Sequence, residues 1–136
     1  MGEPGYRSAH VSEIAAPTGA EAGRATWHAV RRAFAIGSFG VNAYVASAAG
    51  DVFVSEHDEI DTKHEELFFV ACGRATFTVA GETVDAPAGT FVYVRDPALV
   101  RGAIAEEAGT TLLAIGGEPG RAYEVSLWEQ EYDRDG

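Results

Sequence analysis

Between Gly50 and Gly73 the chain reads GDVFVSEHDEIDTKHEELFFVACG, and this stretch holds most of the side chains with chemical capacity. His57 and His64 stand among Glu56, Asp58, Glu59, Asp61, Glu65 and Glu66, six carboxylates inside eleven residues with only Lys63 to offset them. Like charges so close are unfavourable unless they stay in water, change protonation or share a cation. Common catalytic patterns are absent: there is no G-x-S-x-G, no H-E-x-x-H and no paired-cysteine motif, and GGEPG at 116–120 lacks the Lys-Ser/Thr of a phosphate loop. Ser55 and His57 fall on one strand face, but a pair without an orienting acid or oxyanion hole is weak evidence for hydrolysis. Cys72 is the only cysteine, which excludes an internal disulfide and a thiolate zinc site.

These side chains need a scaffold, and the composition bounds it. A chain of 136 residues is one ordinary domain, long enough to remove roughly two-thirds of its extended-chain surface from water. With 46% hydrophobic and 23% charged residues it is globular, and 16 glycines with few helix-forming runs point to β-structure. The net charge of -11 argues against nucleic acid, since the only basic cluster is Arg31-Arg32. MGEPGYRSAH does not read as a secretion signal. Ala33 to Gly50 is uncharged for eighteen residues, yet Gly37, Ser38, Gly40, Asn42 and Ser47 make it too polar to span a bilayer. A cytoplasmic protein without a membrane partner is the expectation.

Residues 1–23 lack apolar periodicity and are expected to form a flexible arm. From Thr26 to Phe34, Trp27, Val30 and Phe34 recur at helical spacing, which predicts a short helix with Arg31 and Arg32 turned away. His28, Arg31 and Arg32 then form either an anion-binding cluster or a solvated polar face. After Gly37 the period becomes two: Phe39, Val41 and Ala43 alternate with Gly40, Asn42 and Tyr44, and Val52 and Val54 with Phe53 and Ser55. Leu67–Ala71 is a fully apolar run, Ala80-Gly81-Glu82 is hairpin chemistry between Ala75–Val79 and Thr83–Asp85, and further runs cover 90–94, 100–105 and 110–115. Seven or eight short strands at roughly ten-residue intervals indicate an antiparallel sandwich or barrel. The barrel domain is expected over 24–128, with Tyr123–Trp128 packing back on it or across a dimer and 129–136 frayed.

This order of strands and glycines resembles the cupin superfamily, small jelly-roll barrels that hold a ligand or metal in the mouth. The family's first motif runs Gly, five residues, His-x-His, three or four residues, Glu, six residues, Gly. Glu66 and Gly73 match its last pair with LFFVAC between them; Gly50 is followed after six residues by His57, and Glu59 falls at the second histidine, six residues before Glu66. In the second motif Gly89 and Thr90–Val94 match, but Arg95 stands at the proline and Pro97 at the glycine. Val100 takes the histidine position, or Arg101 after a one-residue slip, and Ile104 the asparagine. No histidine follows His64, so the usual fourth ligand is missing. The resemblance covers about residues 40–117.

The resemblance implies an all-β jelly-roll barrel with a short N-terminal helix and terminal arms, pairing as a homodimer. If Glu66 faces the interior as its counterpart does, strand parity turns His64, Phe68 and Val70 the same way. His57 and His64 through nitrogen, with Glu66 and Glu59 through oxygen, then form a candidate ligand set for Fe, Mn, Ni or Zn; the competing reading is a barrel without metal. Arg101 near the mouth favours an anionic small-molecule ligand, or else neutralises Glu66 or Glu59 internally. Phe68, Phe77 and Tyr93, with Phe69 and Phe91, line a cavity or form plain core. By parity Cys72 shares the face of Glu66 and is expected to be buried. Three functions stay open: a small-molecule-binding protein, a metal-dependent oxygenase or isomerase, and a structural or partner-binding subunit with a filled barrel.

Overall fold

Thr26 to Phe34 divides in two. In the computed structural model, which describes residues 5–133, Thr26–His28 is strand β1 and only Val30–Phe34 is helix α1. Thr26 and Trp27 are good strand formers, and Trp27 pairs opposite Tyr44. The helix ends at Ala35, whose left-handed backbone (φ 55°) turns its N–H back to Arg32. Arg31 is buried rather than solvated.

The remaining strands lie where the period-two runs place them. They are β2 (Gly40–Val45), β3 (Val52–His57), β4 (Glu65–Cys72), β5 (Arg74–Val79), β6 (Glu82–Pro87), β7 (Phe91–Val94), β8 (Arg101–Ala105) and β9 (Thr111–Gly117). Ala80 and Gly81, both at positive φ, make the two-residue hairpin that joins β5 to β6. Two antiparallel sheets result, ordered β1-β2-β9-β4-β7 and β3-β8-β5-β6. They face one another as a jelly-roll barrel, and their inner faces contribute Phe53, Phe68, Val70, Phe77, Val92, Val94, Ala103 and Leu112 to one core.

Gly73 makes the tight corner between β4 and β5. Its φ is +78°, and a Cβ there would come within 2.7 Å of Thr110 Cα. Thr110, fully buried, ties that corner: its hydroxyl donates to Glu107 O at 2.8 Å and accepts from Arg74 N at 3.1 Å.

The segments outside the barrel lie against it. Ile14 in the N-terminal segment is buried, Ala29 N donates to Ala15 O, and Arg24 forms a parallel bridge with Val52. Where a frayed tail is expected from 129, Leu127–Asp133 is instead a second helix, α2. Its Trp128 and Tyr132 rings pack edge-on against Trp27 at 4.9 and 5.1 Å, and its Glu129 pairs with Arg31. The cluster His28, Arg31 and Arg32 is thus neither an anion site nor a solvated face: Arg31 meets Glu129, Arg32 donates to Tyr132 O, and His28 Nδ1 meets Ile14 O. Residues 1–4 and 134–136, the ends of the expected arm and tail, lie outside the described residues.

Candidate functional site

His57 ends β3 opposite Arg101, after a register shift that breaks regular alternation. Glu59 follows in a loop pinned by its own N–H to Pro97 O at 2.8 Å. Glu66 lies on β4, opposite Val94 on one side and Gly116 on the other. One donor atom from each of His57, Glu59 and Glu66 lies within 4.8 Å of the others. Three of the four residues expected to form a ligand set therefore converge. His64, just before β4, borders the same cavity as Glu66 but stands outside that group. A Cβ on Gly116 would meet Glu66 Cγ at 3.3 Å and His64 Nδ1 at 4.0 Å, so both side chains come close to a position kept bare.

The protonation of this group follows from its contacts. His57 meets Glu59 Oε1 through Nε2 at 2.9 Å and Ser55 O through Nδ1 at 2.7 Å. Both ring nitrogens face acceptors, which suits the imidazolium; the Glu59 hydrogen bond, against partial desolvation, holds His57 above its ordinary value. Burial works against a charged Glu59, but hydrogen bonds from His57 and Thr62 outweigh it and hold the carboxyl below the ordinary range. Glu66 is pushed up, first by desolvation and then by the Glu59 charge, despite Arg101. Of two neighbouring carboxylates, one is thus kept ionised and the other is pressed toward its acid.

Arg101 is fully buried, at 0% exposure. Its guanidinium donates to Glu66 Oε1 at 2.5 Å, Leu99 O at 2.9 Å and Asp96 O at 3.2 Å. This is the internal-neutralisation alternative of the sequence reading. Phe68 borders the cavity, while Phe77 packs behind it with ring centroids 5.3 Å apart. Tyr93 does not line the cavity: it pairs with Leu67 on the outer face, is 54% exposed, and donates to Glu65 Oε2 at 2.6 Å. Phe69 and Phe91 stack on that outer face too, at 4.4 Å. Cys72 is exposed rather than buried, because a register shift between Val70 and Cys72 breaks the parity that predicts otherwise.

The cavity, about 540 Å³, runs from His57, Glu59, His64 and Glu66 to the inner side of α2. Its wall includes residues the sequence reading assigned no role in a site: Asn42 and Tyr44 from β2, Trp27 from β1, Tyr123, and Trp128, Glu129 and Tyr132 around α2. Burial, followed by the charges of Glu66 and Glu129, pushes the Tyr44 hydroxyl upward and keeps it neutral. A polar face opposite Val41 and Ala43 is the signal in β2. Those apolar residues turn outward and are buried, with α1 packed on the strand, so Asn42 and Tyr44 turn inward.

No protein-family model matches the chain, and no curated protein matches its sequence. Solved structures do match in shape. A cupin protein from Bacteroides fragilis aligns with a TM-score of 0.65 at 17% identity, over 92% of this chain and 94% of that one. An RmlC-like cupin protein from Desulfovibrio desulfuricans aligns at 0.63 and 16%, over 82% and 96%. A sugar phosphate isomerase from a cupin superfamily, from Silicibacter pomeroyi, aligns at 0.58 and 12%, over 69% and 59%. At these identities the likeness concerns the fold.

Proposed function

We propose that this chain, a cupin in its fold, is a small-molecule-binding protein whose ligand lies inside the barrel. The observation that carries this is the cavity itself: about 540 Å³ remains open between the sheets, walled by aromatic rings and closed at one end by His57, Glu59 and Glu66. Aromatic rings on the wall together with convergent polar groups of shifted pKa are features of ligand sites. A subunit with a filled barrel would lack it. Because the Arg101 guanidinium is committed to Glu66 and two carbonyls, it gives no reason to expect an anionic ligand.

The neutral fluorophore 6-propionyl-2-(dimethylamino)naphthalene tests the reading. Its emission is expected to shift to the blue in 1:1 binding, and Ala114→Phe and Ser55→Phe, both on the cavity wall, are expected to abolish the shift in protein that retains its β-sheet circular dichroism. An unchanged shift in both folded variants contradicts the reading.

A second reading, metal-dependent catalysis by an oxygenase or isomerase, is favoured by one further observation. An imidazole nitrogen and two carboxylate oxygens within 4.8 Å of one another are a donor set that fits Fe, Mn, Ni or Zn. His57, Glu59 and Glu66 would hold the ion, with His64 at the edge of the group. A bound ion would supply Lewis-acid polarisation of a ligand oxygen. The chain's own contribution would be the Thr62 hydroxyl, which donates to Glu59 Oε2 at 2.5 Å, and Arg101, which is set behind Glu66. Calorimetric titration with Zn(II) and Mn(II), repeated on Glu59→Gln, tests this: stoichiometric binding lost in the variant supports it, and no binding by the parent protein overturns it.

A further inference from the structure

The wall of the cavity carries a second polar feature. Trp27 Nε1 and Asn42 Oδ1 are buried and have no hydrogen-bond partner, in side chains that are 7% and 9% exposed. Both residues border the cavity. Leaving such a group unpaired costs about 1–3 kcal/mol, so a buried orphan donor and a buried orphan acceptor in one cavity need an explanation. Their placement is fixed by the sheet: Trp27 pairs opposite Tyr44, and Asn42 lies two residues along on the same inward face. That diagonal relation puts the side chains within reach of one ligand group.

The geometry points to a ligand-recognition subsite at Trp27 and Asn42 that takes an uncharged, hydroxyl-bearing end of the ligand. It rests on the reading that the cavity binds a small molecule, and it adds the chemistry of the ligand's inner end. Trp27 Nε1 can only donate, and Asn42 Oδ1 can only accept. A carbonyl or carboxylate on the ligand accepts from the indole but leaves Asn42 unpaired. An ammonium donates to Asn42 but leaves the indole unpaired. A hydroxyl serves both, because it donates and accepts through one atom. The surroundings suit an uncharged body next to that hydroxyl. Trp128 and Tyr132 hold the Trp27 indole edge-on, and the Glu129 carboxylate beneath α2 is already paired with Arg31. The Tyr44 hydroxyl, on the same wall, stays protonated. Selectivity follows from the same accounting: a site with unpaired polar groups rejects the analogue that lacks the matching group.

The test uses cyclohexanol, methylcyclohexane, cyclohexanecarboxylate and cyclohexylammonium as probes of nearly one shape. Trp27 and Trp128 are the only tryptophans, so the ¹H–¹⁵N spectrum holds two indole signals, assigned through Trp128→Phe. Cyclohexanol is expected to move the Trp27 indole signal and to bind about tenfold more tightly than methylcyclohexane, a factor equal to about 1.4 kcal/mol. The two charged probes are expected to bind more weakly than cyclohexanol. Trp27→Phe and Asn42→Val are each expected to bring the alcohol-to-hydrocarbon ratio close to one. Trp27→Phe also touches the packing of α2, and Asn42→Val keeps the test intact if that variant fails to fold. Equal binding of cyclohexanol and methylcyclohexane with the Trp27 signal unmoved overturns the subsite while leaving the cavity reading in place. So does carboxylate binding as tight as the alcohol's. If no probe moves any signal from Phe68, Tyr44 or Trp27, the cavity reading falls and the subsite with it.

Discussion

The guanidinium of Arg101, buried at the start of β8, donates to the Glu66 carboxylate on β4 at 2.5 Å and so joins the two sheets through an ion pair at the cavity's polar end. Removing one member of a buried pair leaves the other charge unpaired, which typically costs about 3–5 kcal/mol. Arg101→Leu is expected to destabilise the fold by that amount in urea unfolding. Because Arg101 also holds Leu99 O and Asp96 O, adding Glu66→Leu is expected to recover only part of the loss. A single variant as stable as the parent refutes the role given to the pair.

His57 titrates above its ordinary value because its proton is shared with Glu59. A raised value means that the contact's stabilisation is fully present below the unfolded histidine value, near 6.5, and fades as pH rises through the folded value. Glu59→Gln is expected to lower the titration midpoint of His57, read from its ring proton shifts. A midpoint that stays put shows that the carboxylate is not the cause.

Gly73 occupies a left-handed corner against Thr110. Gly73→Ala meets both backbone strain and a steric clash with Thr110, and is expected to lower stability by about 2 kcal/mol or more. Gly81→Ala, also at positive φ but with nothing within 4 Å of the added Cβ, is expected to cost less. Chemical denaturation of the two variants compares them directly, and equal losses contradict the steric part of the argument.

The Arg31–Glu129 pair fastens α2 beside the cavity across 98 residues of chain. Arg31→Met strands a carboxylate that is 2% exposed. Amide hydrogen exchange over 127–133 is expected to accelerate by about 100-fold, the equivalent of about 3 kcal/mol of local stability. Unchanged protection there, in a variant whose barrel strands also stay protected, contradicts the anchoring role.

The sequence made the barrel legible because a strand's period and a turn's glycine are local. Phe77 opposite Val84 and the Ala80-Gly81 hairpin needed no distant information. The convergence of His57 and Glu59 with Glu66 was legible through motif spacing. What stayed hidden depends on remote or irregular features. Arg31 meets Glu129 only because α2 returns to the barrel, and an exposed-looking charged tail carries no local sign of that. Cys72 was misplaced by a register shift that parity cannot foresee. Tyr93 was misplaced because an aromatic on an edge strand fits an interior and an outer face equally well, and only its pairing with Leu67 decides. In β2 the alternation marked a strand but not which face turns inward: α1 packs on the outside of the strand, so the polar residues face the cavity.

The central claim is that a small molecule binds between the sheets rather than on the exposed aromatic face of β7. Intermolecular nuclear Overhauser effects from bound 6-propionyl-2-(dimethylamino)naphthalene measure this directly. The account predicts contacts to the rings of Phe68, Tyr44 and Trp128, which border the cavity. Contacts confined to Phe91 and Tyr93, exposed on the outer face, would contradict it.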